Sequence, residues 1–561
     1  MKNRKTVLLF ILSLLYISGF AQQPAKPPVY TLADTLRGSI TPERAWWDVL
    51  RYDLSVKADY ISKTISGANE IKYKVTARSR RMQIDMREPL EIDKVILDNK
   101  SELSYAKEGS VWYIKMPEQV KGSEHTVAIF YHGKAREAIR PPWDGGWSWD
   151  KDSLGRPWMT VTCQGLGASI WYPCKDHQSD EPDNGASLTM TVPDTLMAIA
   201  NGRLESKKDN GDGTVSYKWG VVNPISTYCL IPYIGKYVNF SEVYNGEKGR
   251  LDVNYWVMDY NLEKAKTYMP PEVHNMLNAF EHWFGPYPFY EDGYKLIDVS
   301  NTGMEHQSAV SYGNWYKPGY RGRDASGTGF GMKWDFIIIH ESGHEWFGNS
   351  LTTKDLADMW VHEGFTNYSE TLFTDYIFGK EAADAYNYGI RKGIKNDKTI
   401  IPAYNVNGHG SGDMYPKAGN MLHSIRHGLD NDSLFRNIIL RGLNKTFYHQ
   451  VVTSKQVEGF ISKNTKFNYS KVFDQYLRTI QIPAFEFYFT ADKKKLFYRY
   501  TNCVAGFNMP MVLKNETAKL RIVPSSKWQR INLKSAEADL FTKEKIEKMY
   551  YVTVTEVQSV K

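Results

Sequence analysis

The spacing of apolar residues changes twice along the chain, and each change predicts a different kind of domain. Between residues 45 and 259, short segments such as EIKYKV at 70–75 alternate apolar and polar side chains, with Asn, Asp and Gly turns between them. From residue 260 the apolar period becomes helical. After residue 483 the alternation returns. The pattern predicts a multidomain α+β protein with an amino-terminal β-sheet domain at 45–259, a mainly helical domain at 260–482 and a small carboxyl-terminal β-sandwich at 483–561.

The first residues follow a separate pattern. Three basic side chains come first: Lys2, Arg4 and Lys5. An apolar stretch follows at 7–20, and Ala21 is a small residue suited to cleavage before Gln22. The pattern predicts a signal peptide at 1–21, export to the periplasm or the extracellular space, and an amino-terminal linker at 22–44. An uncleaved membrane anchor is the alternative, but 14 apolar residues are short for a bilayer span.

The main chemical signal lies in the helical part of the chain, in the sequence HESGH. On a helix, His340 and His344 lie four residues apart on one face, so both imidazoles can reach one cation. A catalytic zinc takes three protein ligands and keeps one position open for water. Glu363, on a second helical stretch at 356–378, is separated from His344 by 18 residues and is predicted to be the third ligand. The sequence thus predicts one Zn²⁺ per chain on His340, His344 and Glu363.

Two further glutamates are expected to act around this metal. Glu341 points away from the direction shared by the two histidines, so we interpret it as the base that takes a proton from zinc-bound water. Glu370, seven residues beyond Glu363, is expected to hold a ligand imidazole through its free ring nitrogen. A solvated helix carboxylate is the alternative interpretation of Glu370.

Two local expectations accompany the site. The apolar run at 333–339 predicts a buried helix that enters the site and ends near Gly348 and Asn349. His362 is interpreted as a supporting or surface histidine rather than as a competing ligand.

These segments resemble those of the M1 aminopeptidases, the gluzincin family that includes aminopeptidase N and leukotriene A4 hydrolase. HESGHEWFGN at 340–349 and WVHEGF at 360–365 are similar to the zinc segment of that family. Further matches run from about residue 45 to about residue 440. The resemblance implies a thermolysin-like catalytic domain in the helical part of the chain.

The resemblance also extends to residues that would bind substrate. GMEH at 303–306 resembles the exopeptidase motif of the family, which implies that Gly303 and Met304 line the substrate site. Glu305 would bind the free ammonium of the substrate by a charge-assisted hydrogen bond. Tyr415 resembles the catalytic tyrosine, which stabilises the oxyanion. Gln164 aligns with a glutamine that lines the first side-chain pocket.

The sequence therefore predicts a zinc-dependent aminopeptidase whose substrates are peptides with a free amino terminus. A thermolysin-like zinc endopeptidase is one alternative, and Glu305 argues against it because internal bonds offer no ammonium. A catalytically silent, zinc-containing peptide-binding protein is the other. Glu341 and Tyr415 argue against that alternative, because binding alone needs neither a base nor an oxyanion donor.

Charge and cysteine content add little to this prediction. The formal net charge is +7, of which three positive charges fall in the first five residues, and no concentrated basic patch predicts a nucleic-acid partner. The four cysteines are too scattered for a disulfide framework, although one bridge would be compatible with export. After signal cleavage no stable membrane span is expected. Many family members continue into a large helical domain; without it, the cleft is expected to be more open or to be covered by a second subunit in a homodimer.

Overall fold

The structure is a computed structural model that describes residues 29–558. The signal peptide expected at 1–21 lies outside the described residues. Residues expected to form a linker instead include two short helices, α1 (Leu32–Gly38) and α2 (Pro42–Ala45). Thr31 and Asp34 cap the first helix reciprocally. Arg44 is buried against Asp85, with 2.5 Å between Nη2 and Oδ2, so this segment is fastened to the sheet domain.

The amino-terminal region is built of β-sheets. Its strands are, in chain order, β1 (Trp47–Asp59), β2 (Thr64–Val75), β3 (Arg81–Asp85), β4 (Glu91–Leu97), β5 (Ser101–Glu102), β6 (Tyr105–Glu108), β7 (Val111–Lys115), β8 (Glu124–Lys134), β9 (Gly146–Lys151), β10 (Pro157–Thr162), β11 (Ala186–Pro193), β12 (Met197–Ile199), β13 (Arg203–Asp209), β14 (Thr214–Val221) and β15 (Tyr233–Gly235). An eight-stranded sheet has the order β13-β14-β11-β1-β2-β8-β4-β5. A four-stranded sheet (β12-β15-β10-β9) and a three-stranded sheet (β3-β7-β6) accompany it.

Alternation of apolar and polar side chains explains why these segments form strands with one buried face. In β2, Ile71, Tyr73 and Val75 are buried, whereas the two lysines between them are exposed. Side chains of a strand point alternately to its two faces, so one face joins the core and the other meets water.

A mixed sheet leads from the β-rich region into the mainly helical region. Its strands are β16 (Tyr237–Gly246), β17 (Gly249–Met258), β18 (Tyr294–Asp298), β19 (Gly303–Met304) and β20 (Val310–Tyr312). Their order is β16-β17-β18-β20-β19. The sheet therefore crosses the domain boundary expected at residue 259, because β17 pairs in parallel with β18 on the other side of it. Strand β19 lies at the sheet edge, directly before Glu305.

Helices form most of the region that follows β17. They are α3 (Leu262–Phe284), α4 (Phe336–Gly343), α5 (Trp360–Phe378), α6 (Lys380–Ile390), α7 (Pro416–Leu429), α8 (Asp432–Leu434), α9 (Arg441–Thr446), α10 (Ser454–Thr465) and α11 (Ser470–Arg478). Two short strands, β21 (Leu351–Thr353) and β22 (Gln450–Val452), pair in parallel between them. The first 15 residues of α5, Trp360 to Thr374, are all buried, so this helix is enclosed on every side.

The carboxyl-terminal region returns to strands. Its elements are β23 (Ala484–Phe489), β24 (Lys495–Thr501), β25 (Met511–Lys514), β26 (Lys519–Ile522), β27 (Gln529–Asn532), α12 (Lys543–Met549) and β28 (Thr553–Glu556). They form a four-stranded sheet (β27-β24-β23-β28) and a two-stranded sheet (β25-β26). The expected fold class is confirmed: β-rich first, mainly helical next, and β-sheets at the end.

The structure has two apolar cores, whereas the sequence pattern predicts three separate domains. One core fills the β-rich region. The other runs without a break from Val253 in β17 through Ile338 and Phe365 to Phe485 in β23. The carboxyl-terminal sheets therefore share their core with the helices of the middle region.

Two further properties concern the whole described range. Across residues 29–558, no helix combines the length and the apolar character needed to cross a membrane. All four cysteines lie within this range as free thiols.

Candidate active site

Helix α4 and the turn after it position the two histidines. Asp335 caps the helix by accepting from the Ile338 N–H. The helix ends at Gly343, earlier than the expected stop near Gly348, because the Glu345 and Trp346 amides bond only three residues back. His344 nevertheless keeps right-handed helical dihedrals, φ −66° and ψ −21°, so both imidazoles remain on one face.

Close packing of α4 on α5 requires a glycine between the histidines. A Cβ at Gly343 would lie 2.7 Å from the Ser369 Oγ on α5. This close approach brings Glu363 to the histidine pair. The glycine of the HESGH segment thus sets the distance between the helices that carry the three candidate ligands.

Hydrogen bonds orient both imidazoles toward a common point. The His340 Nδ1 lies 2.8 Å from the Glu370 Oε1, and the His344 Nδ1 lies 3.0 Å from the Phe347 carbonyl oxygen. Each acceptor holds a proton on Nδ1 and leaves the Nε2 lone pair for a metal. The Glu363 Oε2 lies 3.4 Å from the His344 Nε2 and 3.9 Å from the His340 Nε2.

The three side chains fit a zinc ion. Two ligands of a tetrahedral zinc, each at about 2.0–2.1 Å from the metal, lie about 3.3–3.4 Å apart. The 3.4 Å separation of Glu363 and His344 matches this edge, and the 3.9 Å separation from His340 exceeds it by half an ångström. The Glu363 Oε2 is buried and has no hydrogen-bond partner within residues 29–558. A cation between the two imidazoles would satisfy it.

Glu370 is buried rather than solvated. Its Oε2 accepts a 2.6 Å hydrogen bond from the Tyr386 hydroxyl, and its Oε1 accepts one from the Asn367 amide at 3.1 Å as well as facing His340. Residues of α5 and α6 therefore hold the Glu370 carboxylate in position. His362 is also buried, so its interpretation as a surface histidine is wrong. Its Nε2 accepts from the Thr353 N–H at 2.9 Å, and its role as a supporting histidine stays a prediction.

Glu341 lies beside the candidate ligands. Ligand-type atoms of His340, Glu341 and His344 all lie within 4.8 Å of one another. Burial raises the pKa of Glu341 to about 7. Burial opposes protonation of His344, yet the neighbouring Glu363 carboxylate raises the pKa of His344 to about 10. The site therefore holds excess negative charge that attracts a cation.

A cavity of about 360 Å³ opens over these residues. Its carboxylates are Glu305, Glu341, Glu363 and Glu370. Among the described residues that line it, none is a lysine or an arginine. Such a cavity favours cationic ligands, such as a metal ion or an ammonium group.

Strand β19 and the residue after it bring the exopeptidase-type residues into the same cavity. Gly303, Met304 and Glu305 all line it. A Cβ at Gly303 would lie 2.7 Å from the Ile337 Cγ2, so a glycine allows the strand to approach α4. The Tyr228 hydroxyl donates to the Glu305 Oε1 at 3.0 Å, which fixes the carboxylate.

Tyr415 lies directly before α7, whose first residue is Pro416. Its ring stacks on His340, with ring centroids 6.0 Å apart and an interplanar angle of 24°. Burial, followed by the nearby Glu363 charge, raises the pKa of Tyr415 well above its usual value. The phenol is therefore a neutral donor at the cavity wall.

Gln164 joins the large cavity to a smaller one. Both Gln164 and Glu305 line the main cavity and a neighbouring cavity of about 80 Å³. Arg37 and His409 also line the smaller cavity. The structure thus brings together every site residue expected from the sequence.

Three residues that contribute to the two cavities or to their carboxylates were not identified from the sequence. Tyr228 orients the Glu305 carboxylate and Tyr386 orients the Glu370 carboxylate. No sequence signal distinguishes these two tyrosines from the other tyrosines among the 37 in the chain. Arg37 donates to the Gly165 carbonyl at 2.7 Å and to the Asn407 Oδ1 at 3.1 Å. The Thr31–Asp34 capping pattern could have identified the helix that carries it.

Two family models match the chain. The Peptidase family M1 domain matches residues 272–476. The Peptidase M1 N-terminal domain matches residues 49–229. The first range contains every candidate metal ligand and Tyr415, and the second contains Gln164.

Curated relatives and solved structures are similar over much of the chain. Aminopeptidase M1-D of Oryza sativa subsp. japonica is 24% identical over 58% of this chain and 37% of its own. Endoplasmic reticulum aminopeptidase 1 of Mus musculus is 23% identical over 70% and 43%. This chain thus spans about two fifths of the length of these relatives. The structure of an M1 zinc metallopeptidase from Deinococcus radiodurans with a Tyr-Ser-Ala substrate superposes with a TM-score of 0.65 at 19% identity, over 78% of this chain and 96% of that one; this likeness establishes the fold.

Proposed function

Because this chain belongs to peptidase family M1, we propose that it is a zinc-dependent aminopeptidase that removes amino-terminal residues from peptides. Its membership confirms the resemblance seen in the sequence. One observation carries the aminopeptidase proposal: the buried Glu305 lines the same cavity as His340, His344 and Glu363. The proposal assigns Glu305 as the anchor for the substrate ammonium, beside the candidate hydrolytic centre.

His340, His344 and Glu363 would hold the zinc ion. When bound, zinc supplies a Lewis acid that polarises the scissile carbonyl and lowers the pKa of water. Glu370 and the Phe347 carbonyl fix the imidazoles through their Nδ1 atoms, so that both Nε2 atoms stay directed at one point.

Glu341 would act as the general base and acid. It would take a proton from the attacking water at its carboxylate oxygen and deliver that proton to the nitrogen of the departing amine. Its burial, which raises its pKa to about 7, suits a group that must both accept and release a proton near neutral pH.

Tyr415 would donate a hydrogen bond to the oxyanion that develops on the scissile carbonyl. Its raised pKa keeps the hydroxyl protonated, and a fixed neutral donor stabilises developing charge without transferring its proton. The stacking on His340 holds the ring on the side of the metal ligands.

Glu305 would accept the substrate ammonium. Tyr228 occupies its Oε1, and the second carboxylate oxygen can then take a charge-assisted hydrogen bond. Gln164, which lies between the two cavities, would line the pocket for the first side chain. Gly303 and Met304 would border the peptide backbone.

The decisive experiment measures hydrolysis of a panel of aminoacyl fluorogenic amides by protein lacking residues 1–21, with metal content assayed. The parent should cleave, and Glu341→Gln should retain zinc while losing about 10²–10⁴-fold in kcat, the usual contribution of a positioned base. Zinc binding without cleavage by the parent would favour the catalytically silent peptide-binding alternative.

Substrates with acetylated amino termini separate exopeptidase from endopeptidase action. The parent should cleave the free-amine substrate and fail on its acetylated counterpart. Glu305→Gln should reduce kcat/KM for the free amine by about 10–100-fold, because a hydrogen bond to a charged group contributes roughly 1.5–3 kcal/mol. Equal cleavage of free and acetylated substrates would refute the exopeptidase proposal and support the thermolysin-like alternative.

Export and assembly belong to the same proposal. The basic and apolar pattern of residues 1–21 supports cleavage before Gln22 and a periplasmic or extracellular enzyme. Amino-terminal sequencing of the mature protein tests this, and an intact Met1 would refute it. A homodimer that covers the cleft would appear in light scattering, whereas a strict monomer would exclude that cover.

A further inference from the structure

A second histidine pair lies outside the candidate active site, between α6 and α7. His423 and His427 are four residues apart on α7, and Asp384 faces both from α6. The Asp384 Oδ1 lies 3.0 Å from the His427 Nε2 and 3.4 Å from the His423 Nε2. The ligand-type atoms of all three residues lie within 4.8 Å of one another.

The separations match those of the candidate active site. Ligands of a tetrahedral zinc lie about 3.3–3.4 Å apart, and both distances from Asp384 fall close to that range. Glu363 and His344 show the same 3.4 Å separation. The second triad is therefore at least as compact as the first.

One buried nitrogen in this triad has no partner. The His423 Nε2 makes no hydrogen bond within residues 29–558, and the side chain is only 1% exposed. A hydrogen bond between Asp384 and His427 accounts for one imidazole but leaves the His423 Nε2 without a partner. A buried polar atom without a partner is costly, and a cation between the three side chains would satisfy it.

The tautomer of His423 suits metal binding. Its Nδ1 lies 3.2 Å from the Tyr368 hydroxyl, whose oxygen can accept a proton held on Nδ1. The Nε2 lone pair then faces Asp384.

Nearby positive charges are already neutralised. Arg426 pairs with Asp375 at 2.6 Å and with Asp432 at 2.8 Å. Lys380 pairs with Asp432 at 2.9 Å. The triad thus presents one carboxylate and two imidazoles, a ligand combination that suits a divalent transition metal.

We propose that Asp384, His423 and His427 form a second metal site, selective for Zn²⁺ or a similar divalent transition ion, in addition to the single zinc expected from the sequence. The side chain of Asp384 is 15% exposed, which leaves a path for the ion and for water as a fourth ligand. The site joins α6 to α7. Tyr386 on α6 holds Glu370, and Tyr415 directly precedes α7, so the metal stabilises the two helices that support the active site.

Zinc stoichiometry tests this proposal without any measurement of catalysis. In chelator-treated His340→Ala/His344→Ala protein, in which the first site is destroyed, titration calorimetry with Zn²⁺ should give one equivalent. Adding Asp384→Asn, which keeps the side-chain shape, should weaken that binding by about 100-fold or more, since even supporting partners of ligands contribute about 10–100-fold. His125→Ala is a matched control, because His125 pairs with Asp98 at 2.8 Å without a second histidine.

Anomalous diffraction from zinc-soaked crystals of the parent protein gives a readout independent of any variant's folding. A peak between Asp384 and His427, together with one equivalent in the double variant, supports the site. A double variant that binds no zinc, or one whose binding survives Asp384→Asn, overturns it. Either result leaves the aminopeptidase proposal untouched, because that proposal rests on the other triad.

Discussion

The two histidine triads have nearly the same ligands and very different surroundings. Each pairs two histidines four residues apart with a carboxylate from a neighbouring helix, and each shows a carboxylate–imidazole separation of 3.4 Å. The His340–His344 triad opens on a cavity of about 360 Å³ that also contains Glu341, Glu305 and Tyr415. The Asp384–His423–His427 triad lies between two helices, and no residue of it lines that cavity.

This difference shows that a set of metal ligands is not sufficient for catalysis. The His340–His344 triad is bordered by a buried carboxylate whose pKa lies near 7 and by a neutral phenol, which can exchange a proton and stabilise an oxyanion. Next to the second triad, Arg426 and Lys380 are engaged in ion pairs. We therefore expect chemistry at the first triad and structural support at the second.

The largest effect should come from removing one histidine from each triad in turn. His344→Ala should reduce kcat/KM by about 10³-fold or more, because a metal ion stabilises transition-state charge by several kcal/mol. His427→Ala should leave the peptide-hydrolysis rate near that of the parent at 25 °C. Both variants are assayed on the same aminoacyl amide, with circular dichroism to verify folding. Equal losses in the two variants would show that the triads do not divide into chemistry and support.

A smaller effect is expected from the tyrosine beside each triad. Tyr415→Phe should lower kcat by about 10²–10³-fold, as removal of an oxyanion donor does, with little change in KM. Tyr368→Phe removes a buried hydroxyl 3.2 Å from the His423 Nδ1 and is the matched control. Steady-state kinetics of both variants test this prediction. An unchanged kcat for Tyr415→Phe would exclude Tyr415 as the oxyanion donor.

The smallest effect concerns how tightly each triad holds zinc. Glu370→Gln should weaken zinc binding at the first triad by about 10–100-fold, because a carboxylate behind an imidazole raises its basicity. Tyr368→Phe should weaken the second triad less, since a hydroxyl is a weaker partner than a carboxylate. Competition with a chromophoric chelator measures both affinities, with the other triad removed in each case. A larger loss for Tyr368→Phe would reverse this order.

Local sequence patterns predicted much of the first triad. His340 and His344 follow from helical periodicity, since residues four apart share a face, and Glu341 was assigned from its position off that face. Glu363 and Glu370 followed from a second helical stretch, and the structure brings both to the imidazoles. The end of α4 at Gly343 did not follow, because it depends on the turn in which the Asn349 N–H bonds to the His344 carbonyl.

Long-range contacts could not be predicted from the sequence. Tyr228 reaches Glu305 across 77 residues, and Asp384 reaches His427 across 43. Arg37, placed in an expected linker, meets Asn407 across 370 residues. No local periodicity encodes such pairs, because they depend on how separate elements pack.

The sequence by itself determined the order of β-rich and helical regions, the histidines and glutamates of the first triad, and the family to which they belong. These features depend on periodicity and short spacing, which the backbone geometry of helices and strands translates directly into shared faces. Only the tertiary structure decided that the carboxyl-terminal sheets share one apolar core with the helical region, that Tyr228 and Tyr386 bond to the Glu305 and Glu370 carboxylates, and that a second His–His–Asp cluster forms between α6 and α7. Those features arise from packing between distant segments, where close contact and burial select partners that no short stretch of sequence specifies.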